Sequence, residues 1–330
     1  MSQGFLSKLG DAELEATLSE GLDRVETLLE QSVHSDDEFI ANAAKHLVAA
    51  GGKRFRPLLT LLAACLGDIN GDGVAESAVV VELTHLATLY HDDVMDEAAR
   101  RRGTTSANAR WDNTVAILTG DFLFARASKL LAGLGPEAVL IQAETFERLV
   151  TGQIHETVGP VDGEDPVEHH MQVLADKTGS LIATSAQFGA MFGGASEQEI
   201  AQVTSYGEKV GVAFQLADDI VDITSEGSVS GKTPGTDLRE GILTLPGLLA
   251  VQSNDPEDAR LIELLSRPLP DDADHAEALK LLRAHPALAA AKAEARKWAD
   301  EAWQDVSTLD NAEVKRALQS LCDFVVERSA

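Results

Sequence analysis

Apolar residues recur at helical spacing, i, i+3, i+4 and i+7, along almost the whole chain, and alternating strand-like patterns are scarce. The main β-branched cluster, Val79–Val81, lies inside a longer helical run, ESAVVVELTHLATLY. No proline falls between Pro57 and Pro136 or between Pro166 and Pro234, and these intervals hold several long helices. Breaks are predicted at 50–53, 67–73, 102–106, 133–136, 159–166 and 193–196. Two longer irregular segments are predicted. SEGSVSGKTPGTDLREG, 225–241, holds four glycines and one proline in 17 residues and reads as a mobile loop; SRPLPDDADH occupies 266–275. Helical patterning resumes from about Ala276. With no internal repeat and no separating linker, the expectation is one all-α domain over residues 1–330, a helical bundle with its motifs between about 40 and 250 and a helical C-terminal part at 276–330.

Composition narrows the partners. Of the 330 residues 44% are apolar, enough for a substantial core, yet no run reaches the length of a membrane span. The first residues lack the basic and apolar regions of a signal peptide. Two cysteines, Cys65 and Cys322, without metal-type spacing suit a reduced, cytoplasmic protein. A net charge of −27 argues against nucleic acid and anionic lipid as partners, and it makes clustered basic residues informative. One apparent calcium loop, Asp68, Asn70, Asp72 and Gly73, has Val79 where a bidentate Glu is needed, so an interhelical turn explains it better.

The charged clusters carry the chemistry. HDDVMDEAARRRG, 91–103, follows a greasy helix and sets Asp92 and Asp96 four apart, on one helix face, with Asp93 beside them. FQLADDIVDI, 214–223, repeats the arrangement with Asp218, Asp219 and Asp222, again after an apolar helix. Like charges this close are unfavourable unless a cation bridges them, and an oxygen-only, incomplete cage suits magnesium completed by water and phosphate. Basic groups lie around both clusters: Lys53, Arg54 and Arg56 in AGGKRFRP, Arg101 and Arg102, Lys177 in ADKTGSL, and Lys232 in the predicted loop. In so acidic a chain they point to anionic ligands, with diphosphates the natural candidate. Each basic residue taken alone also reads as a surface ion pair, and Arg54 and Arg100 most readily so.

Together these pieces resemble a trans-isoprenyl diphosphate synthase of the polyprenyl synthetase type. The matching segments are GGKRFRP (51–57), HDDVMDEAARRRG (91–103), ILTGDFLFA (117–125), GQIHE (152–156), DKT (176–178), FQLADDIVD (214–222) and GKTPGTDLREG (231–241). The resemblance implies an isoprenoid-synthase-type helical fold around a deep central cavity, and a homodimer. It implies three magnesium ions per active site, held by Asp92, Asp96, Asp218 and Asp222 with Asp93 and Asp219 in support. Arg101, Lys177 and Lys232 would hold an allylic diphosphate. Gly52, Lys53, Arg56, His85 and Arg102 would hold isopentenyl diphosphate, and Thr178 and Gln215 would face the reacting carbons. His85 and His91 read equally well as ordinary helical histidines.

Two departures stand out: Ile242 occupies a position where the family often has Lys, and Thr105 one where it often has Pro. Product length is read from the helix before Asp92. Bulky aromatics four and five residues upstream stop growth early in the family; here Thr88 and Ala87 stand there, with Thr84 and Leu83 a turn deeper. Small residues leave the cavity wall open, so the expected product is about C30 to C50, suited to a quinone side chain, with geranylgeranyl diphosphate as the alternative. Phe146 is a weak candidate for the cavity floor. A class I terpene cyclase would not need the second anion site of Lys53, Arg56 and Arg102. A non-catalytic synthase subunit would tend to lose one aspartate cluster, and both are intact.

Overall fold

The computed structural model of the chain describes residues 2–225 and 234–327. Lys232 therefore lies outside the described residues. The helices are α1 (Ser2–Leu6), α2 (Ala12–Ser32), α3 (Glu38–Ala49), α4 (Phe55–Ala64), α5 (Val74–Met95), α6 (Ala107–Arg110), α7 (Asn113–Leu134), α8 (Pro136–Val158), α9 (Pro166–Leu174), α10 (Ser180–Gly193), α11 (Glu197–Thr224), α12 (Thr236–Glu240), α13 (Leu245–Val251), α14 (Ala259–Leu265), α15 (Asp272–Ala284), α16 (Pro286–Val306) and α17 (Ala312–Glu327). A π-helical turn, Ala175–Gly179, joins α9 to α10. Among the described residues, no helix is long and apolar enough to cross a membrane.

The chain divides into two compact units. Unit 1 comprises Met1–Glu147, Leu181–Gly207 and Val306–Ser320; unit 2 comprises Arg148–Ser180, Glu208–Asp305 and Leu321–Ala330. The helices start where acidic caps satisfy free backbone N–H groups. Asp37 accepts from Phe39 and Ile40, Asp112 from Val115, and Asp271 from Ala273 and Asp274. Asp165 caps α9 ahead of Pro166, whose missing N–H costs nothing at a first helical position.

In unit 1, α5 is buried on nearly all sides over Ser77–Thr84, and α2, α4 and α7 pack around it. Glycines let backbones meet there. A Cβ on Gly189 of α10 would fall on the carbonyl oxygen of Thr60 in α4, and one on Gly120 of α7 would strike the His91 ring on α5. In unit 2, Ile223, Leu238, Leu261, Leu264, Leu269 and Leu282 belong to a separate hydrophobic cluster.

The predicted breaks all separate elements, but two local features differ from the reading of the sequence. Residues 100–105 form a small antiparallel hairpin, Arg100 opposite Thr105 and Arg101 opposite Thr104. Its two-residue turn needs positive φ at both positions, and Arg102 (51°) and Gly103 (78°) supply it. Within the segment expected to be irregular, Thr236–Glu240 is helical, and α15 begins at Asp272, earlier than expected. At 68–73, Asp68 caps the N–H of Asn70 and Asn70 pairs with Arg24, an interhelical turn.

Candidate active site

The acidic end of α5 lies in unit 1. The N–H of Asp96 bonds the carbonyl of Asp92 at 2.8 Å, so the three aspartates close the last turn of the helix. Asp93 is buried; its Oδ1 accepts from Arg101 Nε at 2.6 Å, while its Oδ2 is buried without a hydrogen-bond partner among the described residues. Burial pushes this carboxyl up, against the pull of Arg101. Arg101 also approaches Asp96, at 3.7 Å. The hairpin that carries Arg101 is pinned from outside by His46 Nε2 on the carbonyl of Thr105 at 2.7 Å. Arg110 lies 3.0 Å from His46 Nδ1 and can only donate there, so the other nitrogen carries the proton and donates to Thr105. Arg100, which the sequence left without a role, donates to the carbonyl of Gly103 at 2.9 Å.

A second group of cations gathers in the same unit, where α3 hands over to α4. Gly52 and Lys53 are exposed, and Arg56 is half-buried with its Nε buried and without a partner among the described residues. Burial lowers the Arg56 guanidinium to about 10, Glu82 opposing the fall and Arg102 adding to it. Arg102 donates to the carbonyl oxygens of Leu47, at 3.1 Å, and Gly51. A Cβ on Gly52 would sit 2.8 Å from the Arg102 guanidinium carbon, so the glycine makes room for that side chain. Burial first, and then Arg56, Arg102 and Arg101, hold the His85 imidazole well below the ordinary histidine range. It is therefore neutral near pH 7. Sequence reasoning missed Arg54 as a structural residue. It is buried, bonded to Glu26 and, at 2.8 Å, to Glu82.

Upstream of Asp92 on α5 the side chains are small. Ala87 and Thr84 are buried and Thr88 is half-buried. Thr84 accepts from Gln142 Nε2 on α8 at 3.0 Å, and Gln142 Oε1 is buried with no partner among the described residues. An aromatic file runs from His91 to Phe124 (centroids 5.8 Å apart) and on to Phe146 (4.5 Å).

Unit 2 carries the remaining motif residues. The π-turn bears Lys177 and Thr178, and such a turn is a frequent mark of a functional position. It is braced by Arg148, which bonds Asp176 at 2.8 Å and Glu208 at 3.0 and 3.1 Å. Lys177 pairs with Glu156, the last residue of GQIHE. Thr178 donates to Gln215 Oε1 at 3.3 Å, and Gln215 Nε2 donates to Asp219 Oδ1 at 3.0 Å. Asp219 Oδ2 is buried and 3.7 Å from His170 Nε2. Burial pushes Asp219 up to about 8; Gln215 opposes this, and the charges of Asp237, Asp218 and Asp222 add to it. Asp222 accepts the N–H of Gly235 on its carbonyl at 2.9 Å. Ile242, at a position where the family often has Lys, is exposed.

Crowded carboxylates that raise one another's proton affinity fit a hard divalent cation, which would relieve the repulsion. Among the described residues, no three His, Cys, Asp or Glu form a cage by themselves.

Paired aspartate motifs, a basic glycine-edged loop and an all-α frame define a trans-prenyltransferase. A model of the polyprenyl synthetase family matches residues 37–282, and the chain belongs to that family. It is 49% identical to nonaprenyl diphosphate synthase of Mycobacterium tuberculosis over 97% of this chain and 96% of that one. It is 42% identical to a dimethylallyltranstransferase of the same organism, over 96% of this chain and 97% of that one. Among solved structures, geranylgeranyl pyrophosphate synthase from Corynebacterium glutamicum, complexed with calcium and isoprenyl diphosphate, aligns with a TM-score of 0.88 at 46% identity. It covers 97% of this chain and 99% of its own.

Proposed function

We propose that this trans-prenyltransferase condenses isopentenyl diphosphate onto an allylic diphosphate and releases a long-chain product, about C30 to C50, the range a cavity wall without bulky side chains leaves open. The observation that carries the length is the small-residue face of α5 at Ala87, Thr88 and Thr84. The likeness to a nonaprenyl diphosphate synthase supports it. A product stopped at geranylgeranyl length is the second reading, favoured by the Corynebacterium relative.

In this reading the carboxylates of Asp92, Asp96, Asp218 and Asp222 hold magnesium, three ions per site, and Asp93 and Asp219 orient them. Magnesium, when bound, neutralises the diphosphate and eases its departure. Arg101, Lys177 and Lys232 grip the allylic diphosphate; Lys177 exchanges Glu156 for phosphate oxygens as it does so. Gly52, Lys53, Arg56, His85 and Arg102 grip isopentenyl diphosphate, with His85 as a neutral donor. Thr178 and Gln215 face the reacting carbons, and the apolar wall keeps water from the allylic cation. The departed diphosphate takes the proton that is lost, so no protein base is required.

A homodimer belongs to the same proposal. Ile117 and Leu118 on α7, and Val139 and Leu140 on α8, expose 43%, 60%, 43% and 59% of their surface, an apolar face that a second copy would cover. The cytoplasmic setting rests on the cysteine-poor composition alone.

The test is direct. Purified protein is incubated with magnesium, labelled isopentenyl diphosphate and geranyl, farnesyl or geranylgeranyl diphosphate, and the products are sized. Products of C30 or longer are expected. Arrest at C20 would favour the second reading, and no elongation from any primer would remove the proposal.

A further inference from the structure

Glu82 is a carboxylate within the buried stretch Ser77–Thr84 of α5. It is 2% exposed, on α5, and the roles assigned above give it no part. Its Oε1 accepts from Arg54 Nη1 at 2.8 Å and lies 3.8 Å from Arg102 Nη2, so one oxygen serves two guanidiniums. Its charge also bears on Arg56, where it is the largest influence opposing desolvation. Arg54 spends its other donors on Glu26 and on the carbonyl of Val48, at 3.3 Å. Three guanidiniums thus converge with two carboxylates, one of them buried and central. Among the described residues Arg56 Nε is buried without a hydrogen-bond partner, and Arg102 Nη2 stands 3.8 Å from Glu82 Oε1, beyond hydrogen-bond length.

We propose that Glu82 is a positioning residue for isopentenyl diphosphate: it binds Arg54 fully and Arg102 loosely, and so holds Arg102 and Arg56 close together with donors left for the ligand. The proposal rests on the reading that Arg56 and Arg102 hold that substrate. Without a central negative charge, the three clustered guanidiniums, one buried and two half-buried, repel one another and Arg102 swings off its carbonyl anchors. Binding must then reassemble the clamp. Arg54 in this view is a spacer. Both of its edges are occupied, and its backbone holds φ 46° at the head of α4, where it sets the entry angle for Arg56.

The experiment uses Glu82→Gln, which keeps shape and an acceptor oxygen and removes only the charge. The KM for isopentenyl diphosphate is expected to rise at least tenfold, with the KM for the allylic primer within twofold of the parent. A parallel rise in both constants together with a lower melting temperature would mean a merely structural carboxylate and would overturn the proposal. So would an unchanged or lowered KM for isopentenyl diphosphate. Should Glu82→Gln fail to fold, Glu82→Asp is read by the same ratio against the same two outcomes. A double variant, Glu82→Gln with Arg102→Gln, separates positioning from independent effects. It is expected to bind no worse than Arg102→Gln alone, and multiplicative losses would refute action through Arg102. Arg56→Gln checks the underlying reading: if it leaves the KM for isopentenyl diphosphate unchanged, the assignment of this site falls and the role of Glu82 with it. If Arg56→Gln raises that constant and Glu82→Gln does not, only the role of Glu82 falls.

Discussion

His85 shows what burial and four nearby arginines do to an imidazole. Burial and the charges of Arg56, Arg102 and Arg101 depress its proton affinity in the folded chain, while the unfolded chain titrates it near pH 6.5. Below that pH the unfolded state takes up a proton that the folded state refuses, so stability falls as pH falls. At most, each pH unit of that window is worth about 1.4 kcal/mol. Urea unfolding of the parent and of His85→Gln at pH 7.5 and 5 should show the parent losing more stability than the variant; equal losses would mean that the ring is not desolvated. The aspartates make a different prediction. Asp92→Ala or Asp218→Ala should lower turnover by two or more orders of magnitude, and a loss under tenfold, about 1.4 kcal/mol, would contradict a metal role. Both aspartates were legible because the same spacing occurs twice behind an apolar helix. Glu82 was not. A lone Glu in such a helix reads as a surface residue, and its partner Arg54 stands 28 positions away in sequence. His46 and Arg148 were hidden for the same reason, since their contacts span 59 and 28 positions.

At the scale of elements, α5 joins two tasks. Its C-terminal turn presents the aspartates, and the turn before it presents Ala87, fully buried against α7 where Gly120 brings the two backbones together. If the growing chain runs along this face, as proposed, Ala87→Phe should shorten the product, and because Ala87 is fully buried the larger ring should also lower the melting temperature. Chromatographic sizing of the prenyl chains checks it, and an unchanged distribution would detach chain length from this face. The breaks between helices were readable from Gly, Pro and Asp clusters, because caps and turns are local chemistry. The hairpin at 100–105 was not, since two residues per strand leave no alternation to detect. The π-turn was equally hidden: ADKTG fits regular helical patterning, and what distinguishes it is the bracing by Arg148 of Asp176 and Glu208.

For the whole molecule, charge and exposed apolar surface set opposite constraints. A net charge of −27 keeps copies apart over distances of the order of a Debye length, about 8 Å at physiological salt. Ile117, Leu118, Val139 and Leu140 nevertheless face outward. If a second copy covers them, a double substitution Leu118→Glu with Leu140→Glu should convert a dimer into a monomer in sedimentation velocity, and a parent chain already monomeric at micromolar concentration would refute the pairing. Helical class and acidity were plain from composition. Which apolar residues stay exposed was not, because α7 is apolar around much of its circumference and periodicity alone does not choose among its faces.

Among the described residues, Arg54, Glu97 and Arg102 alone hold left-handed backbone without being glycine, and all three flank the charged motifs. For an L-residue that conformation costs about 1–2 kcal/mol. A library selected only for heat resistance would drift toward glycine or asparagine at Glu97 with turnover intact. No such drift would follow at Arg54 and Arg102: losing Arg54 strands the buried Glu82, at about 3–5 kcal/mol, more than the strain it relieves, and losing Arg102 removes the donor to Leu47 and Gly51, so strain persists at the two positions whose side chains are in use.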